Sequence, residues 1–166
     1  MDNIYYISLD QASDKTGICI WKNGMYVSHS LINENHIDNI IGERSRAMFN
    51  DIVILLQKYK PMSITLEDTA LQCNPKSFKD LTRLQGAIIG YCLCNDIDYS
   101  IYSPSQWRKI IGISGGKGTK RPEFKERAIK YVKDNLGIDA SEDEAEAICI
   151  GIAHLKTFGI TNFMEN

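Results

Sequence analysis

Residues 3–32 read NIYYISLDQASDKTGICIWKNGMYVSHSLI, and their pattern decides the fold. The segment NIYYISLD (3–10) has the apolar and aromatic content of a buried strand, and it ends on an acid, Asp10. TGICIW (16–21) and MYVSHSLI (25–32) read as two further strands. Asn23-Gly24 between them is the strongest short-range hairpin signal.

Outward from this hairpin the pattern changes period. Between residues 36 and 59, Ile40, Ile41, Met48, Ile52, Leu55 and Leu56 recur at helical spacing, and Pro61 ends the run. MSITLE (62–67) is a short strand that also ends on an acid, Glu67. A helix is expected after Pro75, through SFKDLTRLQGAIIGYCLC (77–94), and a fifth strand at DYSIYS (98–103). Ser103-Pro104 is a helix-start signal. The glycine-rich GISGGKGTKRP (112–122) is too flexible by composition for a fixed element. Two helices close the chain, from Pro122 to about Asn135 and from about Glu142 to Phe158.

An antiparallel hairpin followed by strands reached through helical crossovers predicts an α/β domain with a five-stranded mixed sheet flanked by α-helices. Ligands of such sheets gather at the carboxyl ends of central strands, where Asp10 and Glu67 fall. No repeat or linker divides the chain, and residues 1–166 suit a single domain with a real core. No apolar run approaches the ~18 residues that cross a bilayer, and the N-terminus lacks a basic segment followed by an apolar one. A cytoplasmic location, with no membrane partner, is therefore expected. The cysteines (Cys19, Cys73, Cys92, Cys94, Cys149) number five and show no C-x-x-C spacing, which points to reduced structural thiols rather than a zinc site.

Net charge is only −2, but it is unevenly spread. From Trp107 to Lys133 nine bases face only Glu123 and Glu126, a net +7. From Asp134 to the end seven acids face Lys156 alone, a net −6. A basic stretch beside an acidic one suits an enzyme that grips a polyanion through metal ions.

The acids of SEDEAEAICIGIAHL (141–155) divide by position. Ser141 and Glu144 match the S-x-x-E capping box, and Glu142 sits where the helix dipole favours negative charge. Asp143 and Glu146, three apart, share one face that continues through Ala147, Ile150 and His154. Like charges so close are unfavourable unless something positive lies between them. With Asp10 and Glu67 they supply enough hard oxygen ligands for divalent ions such as Mg²⁺, two of which can drive phosphodiester cleavage.

These residues resemble the RuvC-type Holliday junction resolvases of the ribonuclease H-like superfamily. ISLDQASDKTGICIW is similar to the family's first strand and hairpin, ITLED to the strand carrying its second acid, and DEAEAICIGIAH to its final motif. RLQGAIIGYC and YSPSQWRKIIGISGGKGTK resemble its second helix and the segment after its fifth strand, so the likeness covers nearly the whole chain in order. The resemblance implies a ribonuclease H-like fold, with Asp10, Glu67, Asp143 and Glu146 as catalytic metal ligands. It implies Mg²⁺ or Mn²⁺ dependence with two ions per site, a homodimer, and paired symmetric nicks in four-way or other branched DNA. Lys117, Lys120 and Arg121 fall where the family has basic residues near the junction; with Arg108 and Lys109 they are the candidate DNA contacts.

Three departures accompany it. Asp10 is followed by Gln11-Ala12 where bacterial members have Pro-Gly, any wedging side chain after Glu67 would be Leu71, and Glu146 stands where many relatives have Asp. The divergence looks like that of a phage-type branch. Other readings are a nuclease of the same fold acting on RNA–DNA hybrids or on branched DNA generally, and a non-cleaving junction binder. An actin-like ATPase is suggested by D-x-x-S-x-x-T-G at residues 10–17, but that fold needs two domains around its nucleotide.

Overall fold

The computed structural model describes residues 3–37, 42–69 and 75–164. The chain runs through β1 (Tyr5–Asp10), β2 (Lys15–Lys22), β3 (Met25–Asn33), α1 (Glu43–Tyr59) and β4 (Ser63–Glu67). It continues through α2 (Pro75–Cys94), β5 (Asp98–Tyr102), α3 (Pro104–Ile111), α4 (Arg121–Leu136) and α5 (Glu142–Thr157). The sheet order is β3-β2-β1-β4-β5. β1–β2 and β2–β3 are antiparallel, and β4 joins β1 and β5 joins β4 in parallel, so the expected mixed sheet is the one observed. Asn23 (φ 53°) and Gly24 (φ 81°) take the left-handed conformations that a tight β2–β3 turn requires.

Strand alternation assigns the two faces of the sheet. Ile7 and Leu9 of β1 and Ile64 and Leu66 of β4 meet Met48, Ile52 and Leu56 of α1 and Leu84 and Ile88 of α2. Each such aliphatic group contributes about 1.5–3 kcal/mol on leaving water. By the same alternation Ser8, Asp10, Thr65 and Glu67 fall on the opposite face, which carries Cys19 and Trp21 and packs against α5. Both strand-end acids are therefore aimed at the final helix by the parity of their strands.

From Ala145 to Leu155, α5 is buried around its whole circumference, between the sheet and helices α3 and α4. A central helix must be apolar on every side, which confines its acids to the first turns. A buried polar link joins sheet and helix: Ser8 Oγ donates to the Ala147 carbonyl at 2.7 Å and accepts from Trp21 Nε1 at 3.0 Å. The approach is close enough to exclude side chains at two places. A Cβ on Gly17 of β2 would strike the Asp143 carbonyl, and one on Gly151 of α5 would strike the Trp21 ring and Ser8 Oγ.

Some expected boundaries move. The helix expected from residue 36 begins at Glu43, because residues 34–37 form a turn and Gly42 (φ 82°) adopts a left-handed conformation ahead of the first turn. Ile40, Ile41, Cys73 and the suggested wedge Leu71 lie outside the described residues. The glycine-rich segment carries no helix or strand before Arg121, yet it has definite contacts. Arg127 Nη1 donates to the Ser114 carbonyl at 2.8 Å, Thr119 Oγ1 to the Gly116 carbonyl at 3.0 Å, and Gly115 packs on Thr119 and Phe124. Cys19, Cys92 and Cys149 are buried free thiols and Cys94 is an exposed one.

Gly17→Ala is expected to push the start of α5 off the sheet, at a cost of about 1–3 kcal/mol. Chemical denaturation checks this, and a variant as stable as the parent would refute the close approach.

Candidate active site

Asp10 leaves the end of β1, and Asp143 and Glu146 leave the first turns of α5 where Gly17 lets the helix start touch β2. One carboxylate oxygen from each of Asp10, Asp143 and Glu146 lies within 4.8 Å of the others. Glu67, at the end of the neighbouring strand β4, stands outside that trio but close enough for its charge to act on Asp10. The four acids expected from the sequence thus come to one place as three plus one. Asp10, Glu67 and Asp143 border an open cleft of about 370 Å³, together with Gln11, Arg121, Lys125 and Glu142.

The other two acids at the start of this helix have partners of their own. Glu144 Oε2 accepts from Ser141 N at 3.0 Å and from Ser141 Oγ at 2.5 Å, closing the expected capping interaction. Glu142 projects outward and pairs with Lys125 at 2.8 Å, which lowers its pKa.

The cluster is electrostatically loaded. Burial first, and then the charges of Glu67, Glu146 and Asp143, hold the Asp10 carboxyl well above the usual carboxylate range. Burial and the charge of Glu146 push Glu67 up to about 7, against the opposing pull of a hydrogen bond from Trp107 and the charges of Arg108 and Arg121. Two cations offset the excess directly. Arg108 Nη2 reaches Glu146 Oε1 at 3.1 Å, and Lys125 Nζ reaches Asp143 Oδ1 at 3.1 Å. Burial works against the Lys125 charge, but its bonds to Glu142 and Asp143 prevail and raise its pKa.

Arg108, one of the candidate DNA contacts, has a side chain only 15% exposed. Its guanidinium lies between the rings of Trp107 (4.8 Å) and Phe124 (4.4 Å), with Nε buried and without a hydrogen-bond partner among the described residues. Lys109, Lys117, Lys120 and Arg121 are exposed, and Arg121 borders the cleft.

Sequence reasoning missed four residues around Glu67 and Asp143. Gln11 Nε2 donates to the Glu67 carbonyl at 2.5 Å and Gln11 Oε1 accepts from Glu67 N at 3.2 Å. Gln11 thereby adds an amide step to the end of the β1–β4 ladder. Gln85 Nε2 of α2 donates to the same carbonyl at 2.8 Å, and Trp107 Nε1 donates to Glu67 Oε2 at 2.7 Å. The fourth is Lys125. The departure at Gln11 was the available signal; nothing in the spacing of Gln85, Trp107 or Lys125 marks them.

The donor set fits a hard divalent cation. Every ligating atom in the trio is a carboxylate oxygen, and the like charges are only partly met by Arg108 and Lys125.

A family model described as crossover junction endodeoxyribonuclease RuvC matches residues 7–154. The RuvC protein of Hydrogenovibrio crunogenus is 25% identical over 149 residues, covering 86% of this chain and 84% of its own. That of Citrifermentans bemidjiense is 25% identical over 167 residues, covering 96% and 97%. Among solved structures, Thermus thermophilus RuvC in complex with a Holliday junction substrate superposes with a TM-score of 0.72 at 12% identity, over 94% of this chain and 96% of that one. Fowlpox virus resolvase with junction DNA gives 0.58 at 15%, over 92% and 99%. At these identities the superpositions speak to the ribonuclease H-like fold. Since the family match spans most of its length, the chain belongs to the RuvC family of crossover junction endodeoxyribonucleases.

Proposed function

We propose that the chain is a metal-dependent endonuclease that resolves four-way and other branched DNA junctions by paired symmetric nicks. The nuclease domain on this reading takes up residues 1–166. The observation that carries it is the meeting of Asp10, Asp143 and Glu146, with Glu67 alongside, at a cleft bordered by Arg121. Asp10, Glu67, Asp143 and Glu146 would hold Mg²⁺ or Mn²⁺, as two ions shared among four carboxylates. Bound there, such ions supply an activated water and stabilise the leaving oxygen of a phosphodiester.

The chain's own groups do the rest. Lys117, Lys120, Arg121 and Lys109 present positive charge to the backbone of the DNA and fix its register on the cleft. Arg108 and Lys125 limit the repulsion among the acids, so the site keeps its shape as it loads. A homodimer would set two such sites on the two strands to be cut. Its interface would use the outer side of α2, where Gly86, Ala87 and Leu93 are exposed, with Tyr99 and Ile101 of the adjacent edge strand β5. Among the described residues no helix is long and apolar enough to cross a membrane.

Asp10→Asn, Glu67→Gln, Asp143→Asn or Glu146→Gln is expected to lower cleavage by more than ~100-fold, a loss that removal of an outer-shell partner alone can approach. Junction binding should persist, and robust Mg²⁺-dependent cleavage by Asp143→Asn would sink the assignment. Glu144→Gln should cost on the order of 1 kcal/mol through the cap and keep its activity. A gel comparing a four-way junction, a Y-fork, a duplex and an RNA–DNA hybrid separates resolvase from broader nuclease.

Replacing Lys117, Lys120 and Arg121 together by Ala should weaken junction binding and lower the log–log salt slope by about 2–3, at ~0.9 per phosphate contact. An unchanged slope in fluorescence anisotropy would remove these residues from the interface.

The raised carboxyls also set a pH trend for the metal-free protein. Their folded pKa values lie above the unfolded ones, so the stability they contribute is complete below the unfolded value and is lost as pH rises through the folded value, about 7 for Glu67. Asp10→Asn should therefore match the parent near pH 4 and melt higher than it at pH 8. Calorimetry with chelator present tests this; a difference that does not vary with pH would contradict it.

A further inference from the structure

Trp107 is fully buried, and its indole offers one hydrogen-bond donor. That donor goes to the Glu67 carboxylate, at 2.7 Å on Oε2, rather than to a backbone carbonyl. A bond from N–H to a charged oxygen in a site shielded from water is stronger and more directional than a neutral one. The main chain of Glu67 is separately fixed, by the two amide bonds of Gln11 and by Gln85 on its carbonyl. With its backbone clamped and Oε2 held by the indole, the Glu67 carboxylate has a fixed orientation.

The helix that carries Trp107 is itself well anchored. Ser103 and Gln106 form a full capping box at the start of α3, with Pro104 in its first turn. The next residue, Arg108, lies over the Trp107 ring and pairs with Glu146. A core position alone would accept any large apolar side chain. The placement of the N–H on a carboxylate of the cluster is what such a role leaves unexplained.

Resting on the site assignment above, we propose that Trp107 is a positioning residue for metal binding: its indole N–H holds Glu67 Oε2 and so fixes the carboxylate that would share in holding the ion. Trp107→Phe keeps an aromatic ring under Arg108 and deletes the donor together with part of the ring volume. In the full chain without DNA, Mn²⁺ binding followed by electron paramagnetic resonance should weaken about 10–100-fold in this variant, the range for loss of an outer-shell partner. The Mn²⁺ concentration for half-maximal junction cleavage should rise by the same factor, while junction affinity in chelator stays at the parent value. Unchanged Mn²⁺ affinity, with at most a lower melting temperature, would show Trp107 to be core filling and overturn the proposal. Asp10→Asn in the same titration separates the two levels. If it too binds Mn²⁺ like the parent, the site assignment falls and this inference with it. If it loses Mn²⁺ while Trp107→Phe does not, only the role of Trp107 falls. Should Trp107→Phe fail to fold, β-(3-benzothienyl)alanine at position 107 replaces the N–H by sulfur in the same shape, and the same two results decide.

Discussion

Like charges do not gather in a place half-shielded from water unless the fold forces them to, and the organisation of this molecule follows from that constraint. Asp10, Glu67, Asp143 and Glu146 repel one another, and burial adds to the cost of charging Asp10 and Glu67. Two packed layers hold them against this. β1 and β4 are central strands pinned by a dry layer with α1 and α2, and α5 is locked between the sheet and α3 and α4. The acids sit where those rigid elements end, so none can relax outward without unpacking a core.

Compensation is local and comes from outside the acidic elements. Arg108 of α3 and Lys125 of α4 reach across to Glu146 and Asp143, placing the positive charge of the basic stretch beside the negative charge of the last helix. The asymmetry of charge along the chain is thus partly a contact within the site, as well as a surface for a polyanion. Breaking a buried pair costs more than forming it gains, and Arg108, stacked between Trp107 and Phe124, is part of the framework that holds Glu146.

Much of the fold was legible because its signals are local. Asn23-Gly24 specifies a turn by backbone conformation alone, the apolar and aromatic content of NIYYISLD specifies a strand, and Ser103-Pro104 specifies a helix start. The start of α1 was misplaced because Ile40 and Ile41 extend the helical period past Gly42, whose left-handed backbone precedes the helix. The glycine-rich segment looked structureless for a similar reason: its contacts, Arg127 on Ser114 and Gly115 on Phe124, come from a later helix and leave no mark on its own composition.

For the site, the sequence by itself determined which carboxylates were available and which were spent on capping. Strand-end position and helix phase are one-dimensional properties, and they separated Asp143 and Glu146 from Glu142 and Glu144. Only the tertiary structure decided what meets them. Gln11, Gln85, Trp107 and Lys125 reach Glu67 and Asp143 across separations of 56, 18, 40 and 18 residues. Such pairings depend on how layers stack, which no local periodicity encodes. The acids could be read from the chain, whereas the groups that hold them in place exist only once the sheet and helices have packed.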